Sequence, residues 1–327
     1  MRIGILGYGR VAQDFLKLLY DKKYNFDVVF ILKSNGGIEN KKGLNIKELV
    51  EKTKDITKHE NWIENLSFKD VINDKIDILI ELTSTNINDG EPAFTYIKEA
   101  LNKRINVVTG NKGPILFGYN ELKKIADKNG VFLGIDGTAG AALPSLNIGL
   151  NGCAGSEILS IEGVLNGTTN FILNEMENEK ISYQEALIKA QEIGIAEKDP
   201  TLDVEGKDTA AKFVILANAL MEGNLSLNDA EYEGITKISV SDLEEAKSKG
   251  RKIKLIGKAY REGTQVKVQV KPMSISNKHP LYQVEGKEKG IVFDTDLLGK
   301  ITVTGGASGT VNAAAAILRD IINNIRR

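Results

Sequence analysis

The residues with the most chemical reach lie in the second half of the chain. Gly194–Lys212 reads GIAEKDPTLDVEGKDTAAK, with Glu197, Asp199, Asp203, Glu205 and Asp208 inside twelve residues. Lys212 follows Asp208 by four positions, so a helix sets both on one face. On an exposed helix such a pair is worth only about 0.2–0.5 kcal/mol. The apolar run FVILANALM that follows Lys212 points instead to a mostly buried helix. A lysine at its start, reached by a carboxylate, is a positioned proton donor. Upstream, a long strand over residues 156–165 is expected to end in the abrupt polar turn Asn166-Gly167-Thr168-Thr169-Asn170, before a helix starting near Phe171. Those polar residues either cap the helix or hold a small polar substrate.

A second constellation opens the chain. RIGIL at Arg2–Leu6 reads as a buried strand, GYGRVA at Gly7–Ala12 as a turn, and a helix follows from about Arg10. In that context a GxGxxA string cradles a dinucleotide pyrophosphate. Gly7 makes the tight turn, Gly9 lets the backbone approach, and Ala12 permits close packing. Arg10 and Val11 complete the turn at the helix start, whose N–H groups and dipole favour an anion. The alternative is a glycine turn in an ordinary α/β unit. The second strand, DVVFIL, runs into Lys33-Ser34-Asn35, where an acidic residue would bind the ribose diol of NAD. A cation and a hydroxyl there favour the 2′-phosphate of NADP, with NAD as the second possibility; otherwise Lys33 is a solvated loop lysine. Thr83 and Ser84 sit at the carboxyl end of the strand DILIEL, on the ligand side of such sheets. Near the other terminus, a glycine-rich turn containing Gly306 precedes an alanine-rich helix and suggests close backbone approach.

The elements that must position these residues follow from the hydrophobic pattern. Strands and helices alternate over roughly the first 135 residues, which predicts a parallel, doubly wound sheet of Rossmann type. The alternation breaks after Asp136, and Gly137–Pro144 reads as a hinge or ligand loop. The rest reads as a second, α+β domain for substrate and dimerisation. The expected division is residues 1–135, completed by the terminal helix at 309–327, and residues 136–308. Asn35-Gly36-Gly37 reads as a flexible turn, residues 45–54 as a polar helix, and Trp62 as a packing residue.

Composition narrows the classes. The 327 residues are 42% hydrophobic and 27% charged, as expected of a packed core. The formal net charge of −1 gives no support to a nucleic-acid binder. The single cysteine, Cys153, excludes an internal disulfide and a cysteine-based zinc cluster. The two histidines, His59 and His279, are too few for a histidine-rich metal site. There is no apolar run long enough to span a membrane and no signal-like leader, so the cytoplasm is the expected location.

On three further strings the chain resembles the homoserine dehydrogenase family over nearly its whole length, in a short form without a kinase or regulatory ACT domain. These are VVTGNKGP at Val107–Pro114, GVLNGTTNFIL at Gly163–Leu173, and the acidic segment ending at Lys212. The resemblance implies NADP-dependent interconversion of L-aspartate 4-semialdehyde and L-homoserine, in threonine, methionine and isoleucine synthesis. It implies Lys112 and Lys212 as the active-site lysines, Lys112 also facing the cofactor, with Asp208 orienting Lys212. It further implies Glu197, Asp203, Asn166, Gly167, Thr168 and Thr169 on the substrate, and a homodimer. Some members bind Na+ or K+ on the loop that here holds Asp136, Ala139 and Ala141, partly through main-chain carbonyls. Asp136 is one methylene shorter than the glutamate common there. Two other readings stay open on the residues alone: a different NAD(P)-dependent dehydrogenase of a small amino-acid-derived substrate, and a non-catalytic dinucleotide-binding or sensing protein.

Overall fold

The computed structural model describes residues 1–51, 55–72, 76–306 and 308–325. The chain divides into two compact units, Met1–Ala142 with Gly309–Arg327, and Leu143–Ser308. Among the described residues no helix is long and apolar enough to cross a membrane.

The first unit is built on seven strands: β1 Arg2–Leu6, β2 Asp27–Lys33, β3 Gly36–Glu39, β4 Trp62–Glu64, β5 Ile78–Glu81, β6 Asn106–Thr109 and β7 Leu133–Gly134. Their order across the sheet is β4-β3-β2-β1-β5-β6-β7. The pairs from β2 through β7 are parallel, and β3 and β4 extend the sheet antiparallel. Strands covered on both faces need near-continuous apolar runs, and VVFIL and ILI supply them. The helices Arg10–Asp21 and Thr310–Ile325 bury Ala12, Phe15, Leu16 and Leu19, and Ala314, Ile317, Leu318 and Ile321, in one core with Ile3, Ile5, Val28 and Ile31. Each fully buried Leu, Ile or Phe there contributes about 1.5–3 kcal/mol. The chain leaves β1 toward β2 on one side and finds β5 on the other, which opens a crevice at the carboxyl ends of β1 and β5.

One detail of this unit differs from the sequence expectation. Gly36 and Gly37 lie in β3, and the turn is the Ser34-Asn35 pair between β2 and β3. A Cβ on Gly36 would come within 2.4 Å of the Ile63 carbonyl, so the glycines serve strand approach. Of the expected polar helix at 45–54, Ile46–Glu51 is helical; residues 52–54 lie outside the described residues. The segment around Trp62 pairs as β4, and Trp62 packs against the core.

The second unit carries β8 Ile158–Val164, β9 Ala230–Tyr232, β10 Arg251–Glu262, β11 Gln265–Ser276, β12 Lys289–Thr295 and β13 Lys300–Gly305. The order is β13-β12-β8-β10-β11-β9, antiparallel except for β11 with β9. The helix Lys207–Leu220 packs on this sheet through a notch. Gly163 of β8 and Gly257 of β10 are register partners. A Cβ on Gly257 would fall 2.2 Å from the Phe213 ring, and one on Gly163 would fall 3.4 Å from it. Two paired glycines thus admit one aromatic ring, and the ring belongs to the residue after Lys212.

Candidate active site

In the first unit the nucleotide turn has the shape its sequence predicts. Gly7 takes φ +89°, and a Cβ there would lie 2.3 Å from the Leu82 carbonyl at the end of β5. Both facts require glycine. Nothing lies within 4 Å of a Cβ built on Gly9, so the backbone is open on the side a pyrophosphate would approach. Gly9 is the N-cap of Arg10–Asp21, with no side-chain cap and no acid in the first turn, while Ala12 is fully buried. These residues fit a dinucleotide. Lys33 ends β2 beside Ser34. Asp55, not singled out from sequence, carries a lowered pKa chiefly because it accepts hydrogen bonds from Thr57, with attraction to Lys58 and Lys33 adding to it. A carboxylate therefore stands within electrostatic reach of Lys33.

Beneath this rim lies Glu81, fully buried at the last position of β5. Its carboxylate accepts from the Thr83 hydroxyl at 2.5 Å, the Thr83 N–H at 2.8 Å and the Thr109 hydroxyl at 2.8 Å. Asn111 Nδ2 adds a long contact at 3.5 Å. Asn111 in turn caps the helix Lys112–Asn129 by accepting from the Gly113 N–H at 3.1 Å. One carboxylate thereby ties the ends of β5 and β6 to the turn that presents Lys112. Burial pushes its pKa up, and the hydrogen bonds partly offset this. The available signal was a charge closing an otherwise apolar strand, ILIE. Ser84 is exposed beside Thr83.

The loop after β7 is also organised by one residue missed from sequence. Arg319, on the helix Thr310–Ile325, donates to Asp136 Oδ2 from Nε at 2.9 Å and from Nη2 at 2.5 Å. It also donates to the Ala141 carbonyl at 3.1 Å and the Ala142 carbonyl at 2.8 Å. Within Gly137–Pro144, expected as a hinge or ligand loop, the Ala141 and Ala142 carbonyls are thus held on that helix, and the loop is entered through a short 3-10 turn, Asp136–Thr138.

In the second unit four predicted residues converge. The helix expected near Phe171 starts at Gly167, so Gly167, Thr168 and Thr169 form its first turn. Asn166 is its N-cap, accepting from the Thr169 N–H at 3.0 Å. With Oδ1 so used, Asn166 Nδ2 donates to Asp203 at 2.6 Å and to Asp208 at 3.1 Å. Lys212 Nζ meets Asp208 at 2.5 Å and the Leu165 carbonyl at 2.9 Å. Capping and site geometry are thus two uses of one asparagine. Thr168 donates to the Ile195 carbonyl at 3.2 Å and Thr169 to the Asn166 carbonyl at 3.2 Å, so both hydroxyls have structural partners. Glu197 is exposed, and no hydrogen bond joins its carboxylate to this group among the described contacts. Gly306, at φ +73°, presses on Leu143, whose N–H nitrogen would be 2.5 Å from a Cβ; this is a packing requirement.

Both units are similar in sequence to known proteins. The model of the family "Homoserine dehydrogenase, NAD binding domain" matches residues 7–134, and that of "Homoserine dehydrogenase" matches residues 144–322. A homoserine dehydrogenase of Methanocaldococcus jannaschii is 40% identical, over 99% of this chain and 98% of its own length. An NAD(+)-dependent homoserine dehydrogenase of Pseudomonas canavaninivorans is 38% identical, over 76% of this chain and 70% of its own. A crystal structure assigned to a homoserine dehydrogenase of Archaeoglobus fulgidus superposes with a TM-score of 0.88 at 33% identity, covering 99% of both chains. With both family models matched in chain order and a relative 40% identical over 99% of the chain, this chain belongs to the homoserine dehydrogenase family.

Proposed function

We propose that the chain is an NADP-preferring homoserine dehydrogenase in which Lys212 handles charge and proton at the reacting oxygen. The family assignment makes it an NAD(P)-dependent oxidoreductase that interconverts L-aspartate 4-semialdehyde and L-homoserine. When bound, the nicotinamide nucleotide supplies or takes up the hydride. Gly7, Gly9, Arg10, Val11 and Ala12 would hold its pyrophosphate, with Thr83, Ser84 and Gly306 as further contacts. Lys33 and Ser34 would meet the 2′-phosphate. That preference rests on the cation at the end of β2, and Asp55 works against it.

The observation that carries the lysine assignment is the group Asn166, Asp203, Asp208 and Lys212. An ammonium has three N–H donors. Asp208 and the Leu165 carbonyl take two of them, which fixes the direction of Lys212 and leaves the third for a substrate oxygen. That donor stabilises a developing alkoxide and delivers its proton on reduction; on oxidation a neutral lysine accepts the alcohol proton. Lys112 is the second cation. Asp203 and Glu197 would hold the substrate ammonium, and the turn Asn166–Thr169 would shape its pocket. The exposed edges of β9 and β13 support a homodimer, since unpaired edges need covering. Cys153, a buried free thiol, suits the reducing cytoplasm. A coupled assay with L-homoserine and NADP, and the reverse with the semialdehyde and NADPH, tests the activity; no turnover in either direction overturns it.

A further inference from the structure

We infer that the guanidinium of Arg319 is the resident cation of the loop Asp136–Ala142, in the place where an alkali ion would otherwise bridge the same oxygens. The loop offers what a monovalent cation needs: a carboxylate and converging carbonyls. Of the three residues named for such an ion, Asp136 and Ala141 already have this guanidinium as a partner. A single nitrogen, Nη2, reaches both Asp136 Oδ2 and the Ala141 carbonyl, the bridging role of a metal ion, while Nη1 takes the Ala142 carbonyl. The Asp136 side chain is 1% exposed and that of Arg319 25%, so the carboxylate is neutralised inside the protein with its partner reaching in from the rim.

The surroundings confirm a built site. Asp320, the next residue on the helix and itself buried, accepts the Asp136 N–H at 2.9 Å. Neighbouring helix residues thus hold both the backbone and the side chain of Asp136. Ala141 adopts φ +53°, a left-handed conformation disfavoured for a non-glycine residue, and its carbonyl accepts from Arg319. An alkali ion on these oxygens would face a positive guanidinium at hydrogen-bond distance, so Na+ or K+ does not fit the loop as it stands. A planar fork fixed on one carboxylate and two carbonyls supplies the charge without an exchangeable ion.

The test is thermal unfolding of the full-length protein in NaCl, KCl and tetramethylammonium chloride at equal ionic strength. Wild type is expected to melt within about 1 °C in all three. Arg319→Ala should melt roughly 5–10 °C lower in tetramethylammonium, because it removes the guanidinium that neutralises a buried carboxylate. Na+ or K+ should restore about half of that loss, by entering the vacated oxygens. Arg319→Gln, which keeps a donor for the carbonyls, is the milder variant and should follow the same order of salts. A wild-type melting temperature that rises with Na+ or K+ over tetramethylammonium overturns the inference. So does an Arg319 variant as stable as wild type, or one that no alkali ion restores. None of these readouts requires enzyme turnover.

Discussion

Lys212 Nζ lies 2.5 Å from Asp208 Oδ2, with the two side chains only 13% and 11% exposed. An i,i+4 pair on a solvated helix is nearly dispensable; one withdrawn from water and tied to Asn166 and Leu165 is not. Lys212→Ala should lower kcat by roughly 10²-fold or more and leave NADP affinity nearly unchanged, because the lost interaction belongs to the transition state. Lys212→Arg should rescue poorly, since a guanidinium keeps charge but does not yield a proton readily. Steady-state kinetics and cofactor titration on folded variants decide it. Wild-type kcat in Lys212→Ala would move the proton-handling role elsewhere.

Cofactor choice should respond to the end of β2. Lys33→Glu removes the cation and sets a carboxylate beside Asp55, so the ratio of NADP to NAD affinity should fall by about tenfold or more. The dissociation constants should be compared at one stated salt concentration, because screening weakens the effect. A ratio unchanged by Lys33→Glu would show that this lysine does not read the 2′ position.

Lys254 should leave a signature in the pH dependence of stability. It is buried to 1% exposure and donates to the Val284 carbonyl and to Asn170 Oδ1. Burial, and then the charge of Lys252, pull its pKa down from 10.5 to about 8, while Glu285 and Glu177 oppose the shift. Between those two values the unfolded chain holds more protons than the folded one, so this lysine makes stability rise with pH across the window. The penalty present below pH 8, on the order of 3 kcal/mol, is relieved as the pH approaches 10.5. Lys254→Met should flatten that rise relative to wild type in denaturant unfolding at a series of pH values. Parallel curves for the two proteins would refute the assignment.

The notch under Phe213 predicts a coupling between sheet and lysine. Gly257→Ala puts a methyl where the ring now lies, at 2.2 Å, and overpacking of this kind costs about 1–3 kcal/mol. Because Phe213 adjoins Lys212, kcat should fall along with the melting temperature. Pairing Gly257→Ala with Phe213→Leu, which frees the notch, should recover part of both. A double variant worse than the sum of the single ones would rule out a shared steric cause.

Much of this protein is legible in its sequence because much of it is local. The apolar runs of β1, β2 and β5 and the glycine turn at Gly7 follow from burial and backbone freedom within a few residues. So does the i,i+4 pair of Asp208 and Lys212. The strings around Lys112, Asn166 and Lys212 carried the family resemblance. What the sequence left undetermined depends on partners far along the chain. Gly36 and Gly37 read as a turn because the need for glycine comes from neighbouring strands: β4, nearly thirty residues on, crowds Gly36, and β2 crowds Gly37. Asn166 reads equally as a cap or a ligand until the fold brings Asp203 and Asp208 to its free amide. Glu81 is a single charge in an apolar strand until Thr83, Thr109 and Asn111 surround it. Asp136 and Arg319 stand 183 positions apart, and no periodicity links them. Only closing the chain on itself sets that guanidinium on that carboxylate, because long-range pairing is decided by which surfaces remain to be buried once the local elements have formed.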